Sequence, residues 1–145
     1  MKTRTVLIAF AALTSAIAHA DKAKHEQQYC AALGDFHSDL KALENMKSDS
    51  TLKDLRETSD RVADDANRVQ KEGGKIKTPT SKQFKDSVSQ LDKEVKSLPE
   101  SLTIAQAQSR IEGDLKNVRM NAKQLATESG CPEAVPAESP KSSTG

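Results

Sequence analysis

The chain has little from which to build a sheet or an aromatic pocket. It contains no tryptophan, one tyrosine and three phenylalanines, so aromatics make up 3% of residues against 30% charged. A sheet sandwich draws on aromatic and β-branched side chains, and no long segment alternates apolar with polar residues as a half-buried strand does. Both observations point to exposed helices. Cysteine is equally scarce: the two present, Cys30 and Cys131, lie about a hundred residues apart. That spacing removes the C-x-x-C redox motif and the C-x-x-C-H site of covalent haem attachment. G-x-S-x-G, H-E-x-x-H and a glycine-rich phosphate loop are missing as well. The expectation is a protein that is not an enzyme and carries no cofactor.

Long apolar runs are confined to the N-terminus, "MKTRTVLIAFAALTSAIAHADKAK". Lys2 and Arg4 form a positive region, Val6 to Leu13 an apolar core, and Ala18-His19-Ala20 an A-x-A cleavage site. That order is a secretory signal peptide. Thr14 and Ser15 interrupt the run before the length of about 20 apolar residues that a transmembrane helix needs. The residues before Cys30, Gln27-Gln28-Tyr29, are not the small apolar ones that lipid attachment requires. The sequence thus predicts residues 1–20 as a signal peptide cleaved after Ala20. A soluble, periplasmic or secreted chain follows from Asp21, with no integral membrane segment.

Cleavage also settles the charge balance. The full chain has 22 basic and 21 acidic residues; without Lys2 and Arg4 these become 20 and 21, a net of −1. Nucleic acid is disfavoured as a partner because phosphate neutralisation needs a basic excess. Anionic membrane surfaces are disfavoured for the same reason.

The rest of the chain carries four apolar stripes at helical spacing. The first is Tyr29, Leu33, Phe36, Leu40, Leu43, Met46. "KSDST" follows, in which Asp49, Ser50 or Thr51 offers a cap for the next helix. The second stripe, Leu52, Leu55, Val62, Ala66, Val69, has Ser59 where an apolar residue belongs. Gly73-Gly74 ends it, glycine being suited to the left-handed conformation that closes helices. The third, Phe84, Val88, Leu91, Val95, Leu98, begins near Ser81. Pro99 breaks the backbone within "SLPESLTIAQ", where Ser97-x-x-Glu100 and Thr103-x-x-Gln106 both match the capping box. The fourth reads Ile104, Gln108, Ile111, Leu115, Val118, Ala122, Leu125.

Four one-faced helices joined by short links form an up-down-up-down bundle. The expected organisation is a helical bundle over 21–131 and a disordered Pro/Ser-rich tail over 132–145. A three-helix arrangement, with Ser97 to Thr103 only bending one helix, and a dimerising coiled-coil hairpin satisfy the same periodicity. In the four-helix topology the start of the first helix and the end of the fourth share one end, which brings Cys30 to Cys131. Disulfides persist in exported proteins, and closing so long a loop contributes roughly 4 to 5 kcal/mol on the chain-entropy model. Buried free thiols and interchain pairing are the alternatives.

Other candidates read more simply as structure. His25 and His37 lie more than three turns apart on one helix and cannot share an ion. His25-Glu26 with Tyr29, and Asp35 with His37 and Asp39, read as a solvated face, so no metal is expected. Met46 and Met120 read as core or rim residues rather than haem ligands. Arg56, Arg61 and Arg68 alternate with Glu57, Asp60, Asp64 and Asp65, and pairs Glu57–Arg61 and Asp64–Arg68 at i,i+4 account for them. Lys71, Lys75, Lys77 and Lys82 surround Ile76 in a loop that would suit an acidic partner but reads first as a solvated linker. Ser59 and Gln108, polar within apolar stripes, are register markers or signs of a bundle that opens.

The elements Cys30 followed by Leu33, Leu40 and Leu43, then "SLPESLTIAQ", then "LATESGCP", resemble small exported bacterial helical proteins whose bundles are flanked by cysteines. Members of that group lack an assigned activity, so the resemblance implies a fold and a compartment but no site residue. The functional expectation is an exported bundle that binds a protein or envelope component. A small-ligand carrier using the bundle interior and a self-associating helical rod are the rivals.

Overall fold

The structure, a computed structural model, describes residues 15–74 and 79–131. Four helices follow in order: α1 Ser15–Glu44, α2 Leu52–Glu72, α3 Pro79–Ser97 and α4 Ile104–Glu128. Among the described residues there is no strand. Residues 1–14, which hold the positive and apolar parts of the expected signal peptide, lie outside this range, as do Lys75, Ile76 and Lys77 and the tail 132–145.

Local chemistry sets the helix ends. Thr51 caps α2: its hydroxyl accepts from the Asp54 amide, and the Asp54 carboxylate accepts from the Thr51 amide at 2.8 Å. Thr103 and Gln106 form the same reciprocal box at the start of α4. Of the two boxes the sequence offered between α3 and α4, this is the one that forms. Glu100 instead pairs with Arg56 of α2, whose guanidinium also donates to the Leu98 carbonyl at 2.9 Å. Residues 98–103 are therefore a loop, not a bend in one long helix. Proline opens α3 at Pro79, two residues before the expected start, in a first-turn position where its missing N–H costs nothing.

The stripes meet in one core. Leu33, Phe36, Leu40 and Leu43 from α1 pack with Leu55, Val62 and Val69, with Phe84, Leu91 and Val95, and with Ile111, Val118 and Leu125. α1 packs on α2 and α4, and α3 on α2 and α4, which is the up-down-up-down bundle. The diagonals differ. α2 and α4 touch at backbone level, whereas α1 and α3 stand apart and meet only through large side chains, the rings of Phe36 and Phe84 lying edge to face with centroids 4.9 Å apart.

Two expectations about the core change, and one holds. The α4 stripe runs through Ala107, not Gln108: Ala107 is fully buried, and Gln108 lies to one side, donating to the Glu44 and Met46 carbonyls at 3.3 and 3.4 Å. It thus satisfies carbonyls that the end of α1 leaves without helical partners. Ser59 is buried where the sequence put it, next to Thr58, whose hydroxyl donates to the Asp54 carbonyl at 2.8 Å. Gly73 ends α2 with φ of −79°, outside the left-handed region. Its glycine has a steric origin instead, because a Cβ there would meet the Tyr29 ring at 2.7 Å.

Candidate functional site

The end of the bundle where α1, α2 and the last turn of α4 converge holds the residues the sequence singled out. Gly130 follows α4 with φ of +71°, a conformation that glycine adopts without strain. It turns the chain so that the Cys131 amide donates to the Ala126 carbonyl at 2.8 Å and the Gly130 amide to Thr127 at 3.3 Å. These are the two bonds of a Schellman closure. The turn points the chain back against α1, and Cys131 is bonded there to Cys30, with Cα atoms 5.4 Å apart across a sequence separation of 101.

This geometry accommodates helices of unequal length. α1 starts at Ser15, so Cys30 lies about four turns inside the helix. At the other end, the first turn of α4 rises past the end of α1, as Gln108 on the Glu44 carbonyl marks. Gly130 then reverses the surplus at the bottom. The A-x-A residues Ala18-His19-Ala20 lie on the helical segment that extends α1 beyond the disulfide.

Around the disulfide, side chains tie α1 and α3 to the end of α4. Ser129 donates to the Tyr29 hydroxyl at 3.2 Å, and Thr80 of α3 donates to Glu128 at 2.7 Å. Burial raises the Tyr29 phenol above its ordinary value; the Ser129 hydrogen bond opposes this, and the Glu128 charge adds to it. Cys131 is buried at 4% exposure and Cys30 only partly so. The cluster is an assembly of hydrogen bonds and packing contacts.

The outer seam between α1 and α2 holds the charged residues. Arg61 pairs with Asp39 at 3.5 Å and Arg68 with Asp35 at 2.8 Å. The expected pairs along α2, Glu57 to Arg61 and Asp64 to Arg68, give way to these bridges between helices, because α1 presents Asp35 and Asp39 to the same seam one turn apart. Asp65 sits among them. Partial burial pushes its carboxyl up from the ordinary range, the Asp39 and Asp35 charges push further, and Arg68 opposes them. Among the described residues no group of three or more His, Cys, Asp or Glu side chains is placed to hold a metal ion. Asp35 and Asp39 are brought into the seam; His37 and His25 are not part of it.

At the opposite end, Arg119 of α4 grips Glu44 of α1 through its Nε at 2.9 Å and its terminal nitrogen. Met46 packs against the core, while Met120, at 53% exposure, is the one large apolar side chain exposed among the described residues. A shallow open depression lies beside the first turns of α4, lined by Leu102, Ala105, Gln106, Ser109 and Arg110. No described helix is long and apolar enough to cross a membrane. Comparison with protein-family models, with curated proteins and with solved structures finds no match.

Sequence reasoning found Cys30 and Cys131 but missed Ser129 with Tyr29, Thr80 with Glu128, and Arg119 with Glu44. Gly130 could have been found, since a glycine just past the last stripe residue signals this helix closure. The other contacts join residues far apart in sequence, and no local pattern announces them.

Proposed function

We propose that the chain is an exported, non-enzymatic helical bundle, periplasmic or secreted, that acts through its outer surface by binding a protein or envelope component. On this reading residues 1–20 are a signal peptide, 21–131 the bundle and 132–145 the Pro/Ser-rich tail. The chain then stands with the small cysteine-flanked exported bundles it resembles. The compartment is supported by the order Lys2/Arg4, Val6 to Leu13, Ala18-His19-Ala20, together with the Cys30–Cys131 bond, which suits an oxidising environment.

One observation favours surface binding over a carrier that holds its ligand inside. The Phe36 and Phe84 rings occupy the diagonal at the centre of the bundle, the position a buried cofactor would need. Crosslinking in the native envelope followed by mass spectrometry tests the reading, and should yield a stoichiometric adduct to a protein or envelope component. Protein recovered from its host with a chromophore in its absorbance scan, or a stoichiometric small ligand in its intact mass, would decide for the carrier instead.

A further inference from the structure

We propose that the Cys30–Cys131 disulfide is a redox latch that holds the chain's exit from the bundle without holding the bundle itself together. The inference stands apart from what the outer surface binds. It rests on how the end of α4 is secured.

Two kinds of contact meet there. Up to Ser129, α4 is tied by groups that do not involve sulfur: Leu125 and Ala126 lie in the core, Thr80 donates to Glu128, and Ser129 donates to Tyr29. Beyond Ser129 only two residues remain before the segment 132–145. They are held by the two Schellman amide bonds, Cys131 to Ala126 and Gly130 to Thr127, by burial of the small Cys131 side chain, and by the disulfide. Two backbone hydrogen bonds and one small buried side chain are of the same order as the conformational entropy of keeping two residues ordered, one of them a glycine. The covalent bond decides the balance. Cutting it opens the chain from Gly130 onward and leaves α4 docked through Glu128.

The two sulfurs are not equivalent. Cys131 is buried and Cys30 partly exposed on the side of α1. A thiolate from a small thiol or a dithiol reductant therefore attacks the Cys30 sulfur. A bond forms between the incoming sulfur and Cys30 while the Cys30–Cys131 bond breaks, and Cys131 leaves as the thiolate. A second thiol then displaces the reductant from Cys30. Two reductant thiols are oxidised to one disulfide, and the protein gains two thiols.

The test uses the full bundle, oxidised and natively folded, treated with dithiothreitol and followed by hydrogen exchange and far-ultraviolet circular dichroism. The Cys131 amide is expected to lose protection at least tenfold more than the amides of Phe36, Val62, Leu91 and Val118, which fall only together, by the loop-closure contribution to global stability, while helicity is unchanged. A Cys131 amide as protected after reduction as before, or loss of helicity throughout, would overturn the proposal. Limited exposure to glutathione, with the adduct mapped by mass spectrometry, should place the mixed disulfide on Cys30. An adduct on Cys131 would refute the assigned point of attack. Reduction needs no substitution, and Cys131→Ser provides a second route to the same exchange readout at the amide of position 131 should the reduced protein aggregate.

Discussion

Phe36 of α1 and Phe84 of α3 meet edge to face, with ring planes at 74°, across the one diagonal where the helix backbones stand apart. Each ring is fully buried, so the pair sets the separation of α1 and α3 as well as filling it. Phe84→Ala should destabilise the bundle by about 3–5 kcal/mol, measured by denaturant unfolding. Phe84→Leu should cost less. A double-mutant cycle with Phe36→Leu should return a coupling of about 0.5–1.5 kcal/mol for the aromatic pair. A coupling near zero would mean that the rings only occupy volume.

Gly73 and Tyr29 form a second tight contact, at the disulfide end. Gly73→Ala introduces a methyl that meets the ring at 2.7 Å and the Val69 carbonyl at 3.0 Å, so overpacking of about 1–3 kcal/mol is expected. Tyr29→Leu in the same chain should recover part of that loss. If Gly73→Ala is neutral in thermal unfolding, the ring is not seated where the geometry puts it.

Gly130 provides a conformation rather than a space. A Cβ there would meet nothing within 4 Å, but φ is +71°, so Gly130→Ala should cost about 1–2 kcal/mol through left-handed strain alone. The two glycines thus separate by mechanism: a second-site change at Tyr29 should relieve Gly73→Ala and leave Gly130→Ala unaffected.

Gln108 gives a test in which sequence logic and structure disagree. Its stripe position invites an apolar replacement, yet its amide serves the Glu44 and Met46 carbonyls. Gln108→Leu should therefore lower stability, by about 0.5–1.5 kcal/mol for the lost hydrogen bonds, as read from the unfolding midpoint.

The α1–α2 seam should show in the pH dependence. The Asp65 carboxyl is raised by burial and by Asp39 and Asp35, so its charged form opposes folding. That penalty is present above its folded pKa and is relieved as pH falls through it, the reverse of a salt-bridged carboxylate. Asp65→Asn should raise the melting temperature near neutral pH, and the gain should vanish at acid pH. Asp54 has the opposite sign: its hydrogen bonds from Thr51 lower its pKa. The cap's contribution is therefore complete above the ordinary Asp value and is lost as pH falls through the lowered one. Carboxyl titration by NMR should place Asp54 below Asp65, and Thr51→Val, which keeps the backbone donor and removes the hydroxyl, should bring Asp54 only part of the way back up.

The bundle was legible because its helices keep a regular apolar period. Leu33, Phe36, Leu40 and Leu43, like Phe84, Val88, Leu91 and Val95, are each a direct record of one buried face. The capping boxes at Thr51 and Thr103 were legible because caps act within four residues. Arg61 and Arg68 were misassigned for the converse reason. Spacing along α2 offers i,i+4 partners, and only the docking of α1 reveals that Asp39 and Asp35 are nearer. Gln108 was misplaced because a stripe fixes a face to within one residue, and Ala107 was too small to stand out. The pairing of Cys30 with Cys131 followed from topology, whereas the turn at Gly130 that completes it went unread, although a glycine just past the last stripe residue signals such a closure.

The most direct measurement is non-reducing peptide mapping of the protein recovered from its host, alkylated under denaturing conditions before digestion. One linked peptide joining Cys30 to Cys131 within a single chain is the predicted result, with no alkylated cysteine. Alkylation of both thiols, or linkage only between chains, would contradict an antiparallel bundle whose first and last helices meet at the disulfide.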